Sequence, residues 1–447
     1  MNKNDIFEID ITGLTDEGMG VGRAEGMAVF VPYALPGEKV RAIIIKVMKS
    51  YAAGKLLDII KPSEQRIKSE CKYFYKCGGC QFQNVSYDAE LEYKRQKVEG
   101  CIRRIGHIDT EVLPVLGAAE CRYYRNKGQF PVSPDGIGLY ASRSHRVIDM
   151  DGCIIQDRAN PDVLKCIREW MKDCGVPAYD EKTGKGTVRH IYTRSGDSGL
   201  MVCVVTAAEK LPYADVLVQR LRTEINSVSG VLQNINKDKT NVVLGRKTKL
   251  LWGKDYIVDS IGSCRFKISP QSFYQVNNAQ TKVLYDKAVE LAGLTGRETV
   301  WDLYCGIGTI GQYAAKGAAR IVGVEIVEGA VINARENAEL NGIKNAQYFC
   351  GASEKLAPEL IKKGMKPDVI FLDPPRKGCD AELLKTAATV GAKRIVYISC
   401  KPSTLARDLK VLNELGYAAK IIQPVDLFPR TAHVETVCLM SRICSGK

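Results

Sequence analysis

Cys400 ends the apolar run RIVYISC (394–400) and is followed by Lys401, Pro402 and Ser403. A thiol at the carboxyl end of a buried strand lies where an open α/β sheet places its reacting groups. A second apolar run, IFLDPPRKG (370–378), ends in Asp373 and two prolines, and HVETV (433–437) sets Glu435 inside a third strand-like run. A nucleophile, a carboxylate and a base at strand ends in one domain suggest covalent catalysis. Any one of the 16 cysteines taken alone is better read as core filler, because cysteine is among the most buried residue types. The two companion motifs reverse that reading for Cys400.

A second chemical signal is the C-x5-C-x2-C spacing of Cys71, Cys77 and Cys80 in CKYFYKCGGCQFQ. Gly78 and Gly79 allow a tight loop whose amides turn toward sulfur, as zinc and iron–sulfur sites both use. Either metal group needs a fourth ligand. Cys153 in DMDGCIIQD follows a turn and a strand and suits that place better than Cys101 or Cys121.

A third is VWDLYCGIGTIG (300–311), a strand running into a glycine-rich turn and a helix, with Glu325 closing the next strand, RIVGVEIV. Gly306, Gly308 and Gly311 satisfy G-x-G-x-x-G, which serves dinucleotides as well as other nucleosides. Asp302 before the turn and Asp373 favour a sulfonium donor such as S-adenosylmethionine over a pyrophosphate, which prefers bare amides.

These groups need scaffolds. The 447 residues exceed one core and suggest about three domains. Residues 1–61 alternate apolar and polar between glycine and proline turns, predicting a small β-barrel of about five strands. Acids and bases nearly cancel there, so charge lends it no RNA-binding role. Residues 62–265 form a central, mainly antiparallel β domain with the metal cluster and an RNA-binding surface. Its stretch 121–146 interleaves Arg122, Arg125, Lys127, Arg143 and Arg146 with Tyr123, Tyr124, Phe130 and Tyr140. Such cations and rings suit single-stranded RNA, although a solvated hairpin would share the pattern. Residues 266–447 alternate strand and helix, predicting a Rossmann-like doubly wound sheet.

Composition is ordinary, at 45% hydrophobic and 26% charged, and the net charge of +13 favours a polyanionic partner. No apolar run approaches the roughly 18 residues of a membrane helix, and residues 1–10 lack a basic leader pattern, so a cytoplasmic protein with reduced thiols is expected.

The early barrel, C-x5-C-x2-C, SPQSFYQVN (269–277), DLYCGIGT (302–309), GVEIV (323–327), LDPPRKG (372–378), SCKPSTLARDL (399–409) and HVETV (433–437) together resemble the S-adenosylmethionine-dependent RNA 5-methyluridine methyltransferases. The nearest branch acts on 23S ribosomal RNA and carries a TRAM barrel and an iron–sulfur cluster. The resemblance spans essentially the whole chain. It implies that Cys71, Cys77, Cys80 and Cys153 hold a [4Fe–4S] cluster, and that Gln275, Tyr304, Glu325 and Asp373 line the S-adenosylmethionine pocket. Tyr304 stands where some relatives carry Phe. It further implies that Cys400 adds to C6 of uracil while Glu435 accepts the C5 proton, on a uridine flipped or held in a loop. The expected protein is a monomer with no DNA or membrane partner. Competing readings are a uracil-5-methyltransferase of the transfer RNA T-loop, a non-catalytic RNA-binding assembly factor, and a nicotinamide-dependent iron–sulfur oxidoreductase.

Overall fold

The computed structural model describes residues 1–443, which divide into two compact units. The first comprises Met1–Lys97, Tyr140–Arg146 and Phe428–His433; the second comprises Val98–Leu139, Val147–Leu427 and the chain from Val434 onward.

In the first unit, five strands within residues 6–61 close into a barrel. Their alternation sends Ile9, Ile11, Val29, Val31, Val40, Ala42 and Ile44 inward, where they are essentially inaccessible. A Cβ on Gly22 would come within 2.3 Å of the Ile9 side chain and 2.5 Å of the Asp10 carbonyl oxygen, so the strand crossing there requires glycine. Beyond the barrel, the buried Glu38 carboxylate accepts from Arg66 and from the amide of Leu35, tying the following segment down.

The second unit holds two seven-stranded sheets and a hairpin, Ile257–Ile261 with Cys264–Ile268. The sheet within residues 127–253 is mainly antiparallel, as expected, but Gly199–Thr206 and Val228–Ile235 run parallel, joined through the helix Ala214–Glu224. Alternation along a strand marks its two faces and says nothing of its neighbour's direction, so the sequence pattern missed this crossover. Helices Asn160–Asp173 and Ala214–Glu224 share a core with the sheet through Val163, Ile167, Trp170, Leu217 and Leu221.

The second sheet runs, edge to edge, Ala346–Cys350, Arg320–Glu325, Thr299–Leu303, Val369–Leu372, Arg394–Ser399, Glu435–Arg442 and Tyr417–Val425. The first five strands are parallel, and Glu435–Arg442 runs antiparallel to both of its neighbours, Arg394–Ser399 and Tyr417–Val425. Strand order reverses between Thr299–Leu303 and Val369–Leu372, and a doubly wound sheet opens its ligand crevice at the carboxyl side of such a switch. Among the described residues no helix is long and apolar enough to cross a membrane.

Candidate active site

Asp373, Cys400 and Glu435 stand at the ends of three neighbouring strands. Asp373 follows Val369–Leu372, Cys400 follows Arg394–Ser399, and Glu435 opens Glu435–Arg442. The pairings Leu372↔Tyr397 and Ser399↔Thr436 bring these ends to one edge of the sheet. Glu435 begins its strand rather than lying inside it, and it is 3% exposed.

Their charges act on one another. Burial pushes the Glu435 carboxyl up to about 8, and the neighbouring Asp373 adds to the rise. Asp373 is partly accessible as a residue, yet its carboxyl is enclosed, and burial raises it to about 7. The Cys400 thiol rises to about 11, first through burial and then through Glu435 and Asp373. The opposing charge is Arg376, which lowers both Cys400 and Glu435. Lys401 and Arg407 lie closer to Cys400 along the chain than Arg376 does. Arg407 instead pairs with Asp408. The available signal was a cation two residues beyond the Asp373-Pro374 strand end. The helix Pro402–Glu414 also starts two residues after Cys400, so its positive end lies close to the thiol in the chain.

Across the switch point, Asp302 is fully buried and accepts from the Gly311 amide at 2.9 Å. Burial raises it to about 7, with Asp373 and Glu325 adding to the shift. Its other oxygen, Oδ1, is buried without a hydrogen-bond partner among the described residues, a polar atom left for a ligand to satisfy. Tyr304 (φ +68°), Gly306 (+53°) and Gly308 (+82°) shape the turn. A Cβ on Gly306 would meet nothing within 4 Å, so the loop is open on that side. One on Gly311 would come 2.8 Å from Asp302 Oδ2, so glycine permits the close approach of helix and strand. Glu325 accepts from the amides of Gly306 (3.1 Å) and Val327 (2.9 Å). The Tyr304 hydroxyl is raised by burial and by Cys379 and Asp380, which places its ring toward the loop that follows Asp373. Gln275 is buried, and Asn126 holds its carbonyl at 3.2 Å. Acids, glycine turn and an orphaned oxygen fit a cationic nucleoside donor.

The expected metal ligands fall in both units. Cys71, Cys77 and Cys80 belong to the first unit and Cys153 to the second. The Gly79 amide donates to Cys77 Sγ at 3.3 Å and Gln83 Nε2 to Cys80 Sγ at 3.7 Å, contacts that suit thiolate ligands. Among the described residues, however, no three His, Cys, Asp or Glu side chains gather as a metal ion requires.

The basic, aromatic stretch is only partly a surface. Phe130 is 1% exposed, burial presses the Lys127 ammonium down to about 8, and Arg143 pairs with Glu17 at 2.6 Å. Arg122, Tyr123 and Arg146 remain exposed, with the Arg158 guanidinium 4.1 Å above the Tyr123 ring. Strand alternation sends Phe130 into the core, a fate that a count of cations and rings does not register.

Comparison with known proteins agrees with this geometry. Residues 205–443 match the family model of tRNA (uracil-5-)-methyltransferases and residues 2–57 that of the TRAM domain. An uncharacterized RNA methyltransferase of Halalkalibacterium halodurans is 47% identical, covering 98% of each chain, and one of Clostridium tetani is 46% identical, covering 99% of this chain and 97% of its own. The crystal structure of Pyrococcus abyssi tRNA (uracil-54, C5)-methyltransferase in complex with S-adenosyl-L-homocysteine superposes with a TM-score of 0.79 at 27% identity, covering 97% of this chain and all of that one. With a matching family model over more than half its length and full-length relatives, this chain belongs to the S-adenosylmethionine-dependent RNA (uracil-5-)-methyltransferase family and carries a TRAM domain.

Proposed function

We propose that the protein methylates C5 of specific uridines in 23S ribosomal RNA through a covalent adduct between Cys400 Sγ and uracil C6. The observation that carries the covalent reading is the convergence of Cys400, Asp373 and Glu435 at three neighbouring strand ends, with their charges coupled.

Uracil C5 is a weak nucleophile, and addition of a thiolate at C6 moves electron density onto C5 and O4. Cys400 is protonated near neutral pH, because burial raises it and the charges of Glu435 and Asp373 raise it further. Protonation of those two carboxyls, which titrate at about 8 and about 7, removes that repulsion, and Arg376 and the helix start favour the thiolate. S-adenosylmethionine, when bound, supplies an electrophilic methyl carbon. Asp302, Glu325, Tyr304 and Gln275 are the residues proposed to hold that donor, with Asp373 at the border between donor and base. Once C5 carries the methyl group, Glu435, having released its own proton to solvent, takes the C5 proton. The electrons of the broken C5–H bond reform the C5–C6 double bond, and Cys400 leaves as thiolate. A base titrating at about 8 is well matched to this transfer. The target uridine must leave its stack to reach strand-end groups that are largely buried.

Support for ribosomal RNA comes from the TRAM barrel together with the cysteine spacing. A second reading, the transfer RNA T-loop, is favoured by the alignment of 97% of this chain with a transfer RNA enzyme. Incubation with labelled methyl donor and each RNA from cells lacking the gene, followed by nucleoside analysis, decides between them. Label in large-subunit RNA supports the first reading, label in transfer RNA replaces it with the second, and label in neither refutes both. Cys71, Cys77, Cys80 and Cys153 are proposed as ligands of the iron–sulfur group, a structural clip because methyl transfer moves no electron. Loss of iron from Cys77→Ser is the expected result, and unchanged iron content refutes it.

A further inference from the structure

Asp408 is a carboxylate on the apolar face of the helix Pro402–Glu414, among Leu405, Ala406, Leu409 and Leu412, and its side chain is 1% exposed. Buried carboxylates are costly unless fully partnered. Oδ2 accepts the Tyr397 hydroxyl at 2.6 Å and the Cys379 amide at 2.8 Å, while Oδ1 accepts Arg407 Nε at 2.8 Å. Arg407 in turn donates through Nη2 to the carbonyls of Lys377 (2.9 Å) and Cys379 (3.4 Å). One turn earlier, the Thr404 hydroxyl donates to the Arg376 carbonyl at 3.3 Å. The loop is thereby held at residues 376, 377 and 379. Between them, Gly378 sits at φ +79°, and a Cβ there would lie 2.5 Å from both Arg407 Nη2 and Asp408 Oδ2, so the loop is pressed against the helix.

Asp408 thus joins three pieces of chain: the strand that delivers Cys400, through Tyr397; the helix that begins after Cys400; and the loop that presents Arg376. None of the latch residues is Cys400, Glu435 or a donor-pocket residue. We propose that Asp408, with Arg407 and Tyr397, forms a latch of positioning residues that fixes the Arg376-bearing loop beside Cys400. The inference rests on the covalent reading above and adds the means by which Arg376, a cation acting on the thiol, is held in place.

Among the described residues, the charges that reach Cys400 are those of Glu435, Asp373 and Arg376. If the latch opens, the two acids stay on their strands while the cation moves, so the thiol becomes harder to ionise. The test uses full-length Arg407→Met and Asp408→Asn proteins. Arg407 is half exposed, so its variant keeps the core even if Asp408→Asn fails to fold. Alkylation of Cys400 by iodoacetamide, followed by mass spectrometry across pH, should show its midpoint displaced upward by about one unit in Arg407→Met. Methyl transfer should fall about tenfold in kcat with KM for the donor unchanged. Arg376→Met should show the same displacement, and adding Arg407→Met to it should give no further one. An unchanged alkylation midpoint in folded Arg407→Met overturns the latch, as does a midpoint shift that persists in full when Arg376 is already gone. Alkylation needs no RNA, so the two ideas separate: a shifted midpoint alongside normal methylation by Cys400→Ala keeps the latch and removes the covalent reading.

Discussion

Glu435→Gln should divide the reaction at its midpoint. The substitution keeps the shape of a side chain that is 3% exposed and removes its ability to accept a proton. It also removes the larger of the two acidic charges that oppose ionisation of Cys400, so addition to C6 is not slowed. Elimination, by contrast, loses its base. Positioned general bases contribute roughly 10²–10⁴-fold, so turnover should drop by that factor, about 3–5 kcal/mol in the barrier. The protein should therefore accumulate an RNA adduct that already carries the methyl group. Denaturing electrophoresis with labelled donor reads it directly as a retarded band, approaching one RNA per active chain. The native enzyme should show the complementary pH dependence: elimination needs ionised Glu435, so its rate should rise with pH through about 8. Turnover of Glu435→Gln at more than about a tenth of the native rate, with no retarded band, contradicts the assignment of the base.

Three further outcomes follow from the same geometry. Cys400→Ala should show no methylation above about 10⁻⁴ of native and no RNA adduct, with RNA binding by gel shift retained; full activity removes the nucleophile. Gly311→Ala places a Cβ 2.8 Å from Asp302 Oδ2, so donor affinity measured by calorimetry should weaken at least about tenfold, while an unchanged Kd contradicts the packing argument. Burial raises Asp302, Asp373 and Glu435, so the stability that comes with their neutral forms is complete below the ordinary carboxylate range and is lost as pH rises through about 7 to about 8. The Tm of the native protein should fall between pH 6 and 9, and Glu435→Gln should reduce that slope; parallel slopes in the two proteins refute the coupling.

Much of the site was readable along the chain. An apolar run that stops at a cysteine, an acid or a glycine turn marks a buried strand and its end together, so Cys400, Asp373, Asp302 and the 304–311 turn are legible as strand-end groups in the sequence alone. The barrel was equally open to reading, because strict alternation encodes inside and outside residue by residue. What periodicity cannot carry is the direction of a neighbouring strand or the reach of a long side chain, since both depend on residues far away in sequence. The parallel pair around Ala214–Glu224 was missed for the first reason. The second explains the cations. Arg407 and Arg376 read alike in sequence, yet a carboxylate on the same helix captures the first and leaves the second to act on Cys400. Phe130 and Lys127 likewise looked like an RNA surface until the sheet turned one into the core and enclosed the other's ammonium. The sequence by itself determined which groups could react and on which strand ends they stand. Only the tertiary structure decided which charges oppose one another there, because burial and distance between remote segments set those charges, and neither is a property of a local run of residues.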